Sequence, residues 1–146
     1  NPEFEQGHSE ITIFAVGYTN QQVKHIEVGY GTLIPDKQIP ISGILHESDV
    51  HQSKRSPEGH RLFRLMVPNV RWAGDNESVR ISVESLLAKK PVMFKKIGER
   101  KIPSYMPGHL TKMDQIKPEW SYAGWHYSGV SVTHVADQAE RIAELF

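Results

Sequence analysis

The densest cluster of charged side chains lies between Lys89 and Lys101, where six of thirteen residues are basic. Such clusters neutralise phosphates and release their counterions, which gives affinity for any polyanion. Phe94 stands among the lysines, and an exposed ring there can stack against a base. The segment predicts a surface for RNA, single-stranded DNA or another polyanion, including an anionic membrane. Its candidate contact residues are Lys89, Lys90, Phe94, Lys95, Lys96, Arg100 and Lys101.

Four aromatic residues, Trp120, Tyr122, Trp125 and Tyr127, fall within eight positions. In a regular strand the first two face one way and the last two the other, unless a bulge at Ala123 and Gly124 brings all four to one face. Exposed rings stack bases, and Trp120 and Trp125 are the candidates for this. The alternatives are that the rings anchor a protein interface or fill the core beneath a helix.

His46, Asp49 and His51 resemble a metal-binding cluster in composition. Zinc metalloproteases place two histidines four residues apart on a helix. Here they are five apart, so on a helix they diverge by about 140°, and in a strand they face opposite ways. We predict a solvated loop over 46–60 and no metal or cofactor. Because no nucleophile-elbow, P-loop or dinucleotide motif occurs either, we predict that the chain is not an enzyme.

The formal net charge is zero, but the charges are segregated along the chain. Residues 54–101 carry twelve basic and five acidic residues, a net of +7, whereas the remainder carries five basic and twelve acidic residues, a net of −7. This indicates a molecule with two oppositely charged parts. Such charges favour a polyanionic partner, or they pair with each other inside one fold or between copies.

Hydrophobic periodicity predicts several short strands. Residues 11–16 are apolar on both faces, which is typical of a buried central strand. Residues 26–30, 61–67 and 79–83 alternate apolar with polar side chains, as half-buried strands do. Pro40 confines any strand over 39–45 to a sheet edge. A further short strand is predicted at 92–94, little regular structure over 98–119, and β structure over 120–132.

The C-terminal residues predict an amphipathic helix over 134–146, capped by Thr133. Its apolar stripe is Val135, Ala139, Ile142 and Phe146. The stripe packs on the domain's own sheet or mediates self-association.

The predicted fold is mainly β, a sandwich or open barrel with a C-terminal helix. A two-layer α+β fold is the alternative, because 80–90 and 108–117 can be helical. Residues 1–6 are predicted to be a cloning remnant or disordered, and 7–146 a single domain from a longer chain. The absence of cysteine, of a visible secretory signal and of an apolar run of about 18 residues indicates an intracellular, cytoplasmic protein.

The stretch over 63–93 resembles the β-rich core of plant-virus movement proteins, a resemblance that implies binding of single-stranded RNA and carries no individual residue over. The sequence therefore predicts a non-enzymatic module that binds RNA or single-stranded DNA. The alternative is an assembly protein that self-associates through its opposite charges and its C-terminal helix.

Overall fold

Five strands of the described residues form one open antiparallel sheet in the order β2-β3-β4-β1-β5. The computed structural model describes residues 7–51, 55–115, 123–129 and 131–145. The strands are β1 His8–Thr19, β2 Gly31–Leu33, β3 Gly43–Leu45, β4 His60–Pro68 and β5 Met93–Pro103. The helices are α1 Glu47–Val50, α2 Asn76–Leu87, α3 His109–Gln115, α4 Trp125–Ser128 and α5 Val132–Ala143.

The chain divides into two compact units. The first, which we call the sheet unit, is Glu10–Lys101, and the second combines Asn1–Ser9 with Ile102–Phe146. Within the described residues, no helix is both long enough and apolar enough to cross a membrane.

β1 and β4, which pair near the centre of the sheet, are both segments that the sequence predicts to be strands. β1 pairs antiparallel with β4, so that Phe14 lies opposite Leu65 and Val16 opposite Phe63. These four side chains are fully buried. The alternation predicted for 61–67 is confirmed, and β1 is a central strand with neighbours on both sides, as its apolar sequence predicts.

The strand predicted at 79–83 is wrong, because these residues belong to helix α2. Asp75 caps this helix by accepting hydrogen bonds from the backbone N–H groups of Glu77 and Ser78, an interaction that contributes about 1 kcal/mol. Val79, Val83 and Leu87 recur every four residues and are buried against the sheet. Ile81, which the strand prediction places beside them, is more than half exposed.

Other segments also differ from the predictions. Residues 26–30 form bends rather than a strand. The strand predicted over 39–45 is reduced to β3, which lies inside the sheet between β2 and β4 and not at an edge. The strand predicted at 92–94 continues to Pro103 as β5, through Gly98.

The C-terminal helix α5, Val132–Ala143, begins and ends earlier than the helix predicted over 134–146. α5 begins at Val132, capped by Ser131 and not by Thr133: the Ser131 hydroxyl accepts a hydrogen bond from the His134 N–H. Within the predicted 120–132 β segment, the described residues include helix α4.

The coarse fold class is confirmed as β-rich or mixed α+β. Among the described residues there is one sheet, and α2 packs against one of its faces.

Candidate functional site

The sheet has two different faces. Side chains at even positions of β1, such as Phe14 and Val16, form the core together with α2. Those at odd positions, such as Ile13 and Ala15, point the other way and are only partly buried. The register adds Arg64 and Met66 of β4 to this second face, because paired residues share a face. We call it the open face.

The open face carries a concavity of about 550 Å³ over strands β2, β3 and β4. Its walls are almost entirely apolar. Leu33 and Tyr30 at its rim are 88% and 72% exposed, so large apolar groups face outward here. Such a hollow is the usual form of a small-molecule site. Its lining comprises Ile11, Tyr30, Gly31, Thr32, Leu33, Ser42, Gly43, Ile44, Leu45 and Met66.

Gly31 is required where β2 and β3 pair. A Cβ atom at this position would lie 2.4 Å from the Ile44 carbonyl oxygen, too close for any other residue without a backbone shift. At Gly43 an added Cβ atom would lie 3.6 Å from a methyl group of Leu33. Gly31 therefore permits the close pairing of β2 and β3 that forms this part of the wall.

A cluster of charges lies beside the hollow on the same face. The carboxylate of Glu47 is buried and binds two guanidinium groups, from Arg64 and, at 3.3 Å, from Arg55. His51 Nε2 lies 3.7 Å from the same carboxylate. We call Glu47, Arg55 and Arg64 the guanidinium cluster. It opens into a second hollow of about 260 Å³, with Ala15, Leu62 and Ile97 among its walls.

The guanidinium cluster is joined directly to the apolar concavity. Arg64 pairs across the strands with Leu45, which lines that concavity. Two arginines share one carboxylate, so the three side chains of the cluster carry a formal net charge of +1. The open face thus offers an apolar surface with a cationic end, a combination suited to an apolar ligand that carries a carboxylate.

The solvated loop predicted over 46–60 is instead buried at its first two residues. His46 and Glu47 are buried, and α1 passes through this segment. His46 Nδ1 lies 3.3 Å from Asp49 Oδ2, whereas His51 approaches Glu47. His46, Asp49 and His51 are therefore not gathered around one point, and the described residues contain no group of metal ligands.

Asp49 has a second partner, Arg61 of β4. The guanidinium group donates to both carboxylate oxygens, with distances of 3.2 and 2.5 Å. Arg61 also lies 5.2 Å above the ring of Phe63, and the ring of His46 packs edge-on against that same ring. The side chains of His46, Asp49 and Arg61 therefore belong to the core. Asp49 and Arg61 also bind the backbone of the loop that precedes β2.

The basic residues predicted to form one surface lie on different sides of β5. The ring of Phe94 stacks on that of Phe14, with 5.1 Å between the ring centroids, so it packs against the core. Lys96 lies on the same side, over the ring of Trp72, and pairs with Glu99. Ile97 contacts the open face instead, and by alternation Lys95 and Lys101 share its side.

The remaining predicted basic residues are exposed. Lys89 and Lys90 follow α2, and Arg100 donates to the backbone carbonyl of Glu99. Lys101 pairs with Glu10 at 3.6 Å. Lys54, one of the residues counted in the basic segment, lies outside the described residues.

The predicted aromatic and oligomerisation residues belong to the second unit. Trp125 is half exposed on α4. Val135 and Ile142 are half-buried and Ala139 is exposed on α5, which packs against α4. Trp120 and Phe146 lie outside the described residues.

Sequence reasoning missed the open face, although one signal for it was visible. Arg61 and Arg64 interrupt a strand that is otherwise apolar, and charges within a half-buried strand usually have buried partners. The partners themselves, Asp49 and Glu47, were assigned to a loop. No local pattern reveals that residues 43–45 pair with this strand or that residues 31–33 pair with residues 43–45.

No protein-family model and no curated protein matches the sequence. Among solved structures, the fold is similar to that of a provisionally named protoporphyrinogen oxidase from Exiguobacterium sp. 255-15, with a TM-score of 0.70 and 17% identity. It is also similar to reduced UDP-galactopyranose mutase, with a TM-score of 0.64 and 16% identity.

Both matches cover 97% of this chain but only 35% and 34% of the other proteins. The chain therefore spans about a third of their length. At this level of identity the likeness shows the fold alone.

The buried environment of His46 predicts a pH dependence of stability. Burial lowers the pKa of His46, Asp49 opposes this shift, and Arg61 adds to it. Between the lowered value and the ordinary one of about 6.5, the unfolded chain binds more protons, so stability falls on acidification. We expect His46→Gln to lose less stability than the wild type between about pH 7.5 and about pH 5.5, measured by urea unfolding.

The control is His25→Gln, which changes an exposed histidine and is expected to keep the wild-type pH dependence. An equal loss in the wild type and in His46→Gln would contradict the assignment of this effect to His46.

Proposed function

We propose that the sheet unit is the ligand-binding part of a larger oxidoreductase, and that its open face binds a tetrapyrrole carrying carboxylate groups. The observation that carries this proposal is the apolar concavity beside the guanidinium cluster. The similarity of fold to a protein named as a protoporphyrinogen oxidase supports our choice of ligand class. Protoporphyrinogen combines apolar pyrrole rings with carboxylate side chains, which are the two kinds of group that this face accommodates.

The second structural neighbour suggests a different ligand. Its name indicates a sugar nucleotide, which is polar over its whole length. Polar ligands need hydrogen-bond partners along the walls of their site, because a buried polar group without one is costly. Tyr30, Leu33 and Met66 provide mainly apolar contact, so the lining favours the tetrapyrrole.

A charge introduced at the rim of the concavity tests this proposal. Protoporphyrin IX serves as the probe, and quenching of its fluorescence or of the protein's measures binding to the 146-residue chain. Leu33→Glu removes apolar contact and repels the carboxylates of the probe. We expect about ten-fold weaker binding, equivalent to about 1.4 kcal/mol. The fold should be unaffected, because Leu33 is largely exposed.

Val70→Glu is the matched control, since Val70 is 92% exposed and does not line the concavity. It is expected to bind as the wild type does, and UDP is expected not to compete. Equal weakening in the two variants, or no saturable binding by the wild type, would overturn the proposal.

A polyanion-binding surface is the second candidate function. It is supported by Lys89 and Lys90, which follow α2, and more weakly by Lys95, which lies on the side of the open face. All three are exposed and make no ion pair with the other described residues. Lys96 is less available, because Glu99 neutralises it. Nucleic acid would bind here through phosphate contacts without reading sequence.

Reversing the charge of the four lysines tests this second candidate. We expect the combined change of Lys89, Lys90, Lys95 and Lys96 to Glu to abolish retention of single-stranded RNA at low ionic strength. Filter binding over a range of salt concentrations provides the measurement. Retention equal to that of the wild type would exclude this surface as the RNA site.

A further inference from the structure

The loop before β2 determines one wall of the apolar concavity. Residues 20–30 contain turns and bends but neither helix nor strand, and Tyr30 at the end of this loop lines the concavity. A loop without its own regular hydrogen bonds needs other partners to hold its backbone in one place.

Arg61 binds three backbone carbonyl groups of the loop. Its guanidinium group donates to the carbonyl oxygen of Ile26 at 2.7 Å and to those of Val23 and Glu27 at 3.3 Å. The same group binds Asp49, which fixes its orientation. Arginine suits this role because its planar fork presents several donors in fixed directions.

Asp49 completes the attachment at the end of the loop. Its Oδ2 atom accepts a hydrogen bond from the backbone N–H of Gly29 at 3.3 Å. One residue further, the carbonyl oxygen of Tyr30 accepts from the His46 N–H at 3.0 Å. The side chains of Asp49 and Arg61 are 9% and 13% exposed, so the ion pair between them is shielded from water.

We propose that Asp49 and Arg61 are positioning residues for the ligand site: the pair holds the loop so that Tyr30 forms a fixed wall of the concavity. This inference rests on the proposed function for the identity of the ligand, but not for the position of the loop. Neither residue lines the concavity, so any effect on affinity is transmitted through the loop.

A nitroxide label on the loop tests the position directly. The chain contains no cysteine, so Val28→Cys gives a unique attachment point on an exposed side chain. In this background, Asp49→Asn and Arg61→Lys are compared with Arg80→Lys. The control arginine pairs with two carboxylates, Glu77 and Glu84, on the surface of α2.

We expect the label to become more mobile in Asp49→Asn and Arg61→Lys, and binding of protoporphyrin IX to weaken about ten-fold. Arg80→Lys should change neither quantity. Far-ultraviolet circular dichroism at the same temperature confirms that each variant is folded. The milder Arg61→Lys keeps the charge opposite Asp49, so it separates loss of the carbonyl contacts from loss of the fold.

Two results would overturn this inference: unchanged label mobility in both variants, or increased mobility with unchanged affinity. Failure of the wild type to bind protoporphyrin IX would overturn the proposed function instead. In that case the label mobility still decides whether the pair positions the loop.

Discussion

The pairing of β1 with β4 determines which side chains of the sheet unit meet the core and which remain available to a ligand. Phe14 opposite Leu65 places two large apolar side chains beneath α2. Ala15 opposite Arg64 places a small residue and a cation on the other side. A slip of one residue would exchange the two faces, burying arginine and exposing phenylalanine. The large difference in burial between the faces therefore fixes both the register and the site.

The second constraint is that the charged side chains which the fold buries must be neutralised by partners. The short helix α1 carries Glu47 and Asp49, and β4 supplies Arg64 to the first and Arg61 to the second. Buried ion pairs cost desolvation energy, and removing one partner leaves a buried charge behind. Both pairs link α1 to β4, and through Arg61 also to the loop that leads to β2. The open face and its rim thus depend on a few specific contacts.

The sequence predicts an element correctly where its hydrophobic periodicity fits only one kind of secondary structure. Phe63, Leu65 and Val67 alternate with less buried residues, and only a strand places them on one face. The same reasoning fails at Val79, Ile81 and Val83, where alternation imitates a strand. The spacing of four from Val79 to Val83 and on to Leu87, after a capping Asp75, was the competing pattern, and packing against the sheet decided in its favour.

The candidate site was less predictable, because it combines residues from separate segments. Tyr30, Leu45, Glu47 and Arg64 meet only after the strands pair. Local sequence does not specify this pairing, and the polar composition of 46–60 hides the buried Glu47. The basic cluster around β5 was visible, but strand alternation divides it between the two sides of the sheet.

Methyl NMR with protoporphyrin IX tests most directly whether the open face binds a ligand. The porphyrin ring current shifts any methyl group packed against it. We expect shifts at Leu33, Leu45 and Met66, and none at Val79, Val83 and Leu87, which form the buried side of α2 on the opposite face of the sheet. Saturable shifts confined to residues outside the open face, or no saturable shifts at all, would contradict it.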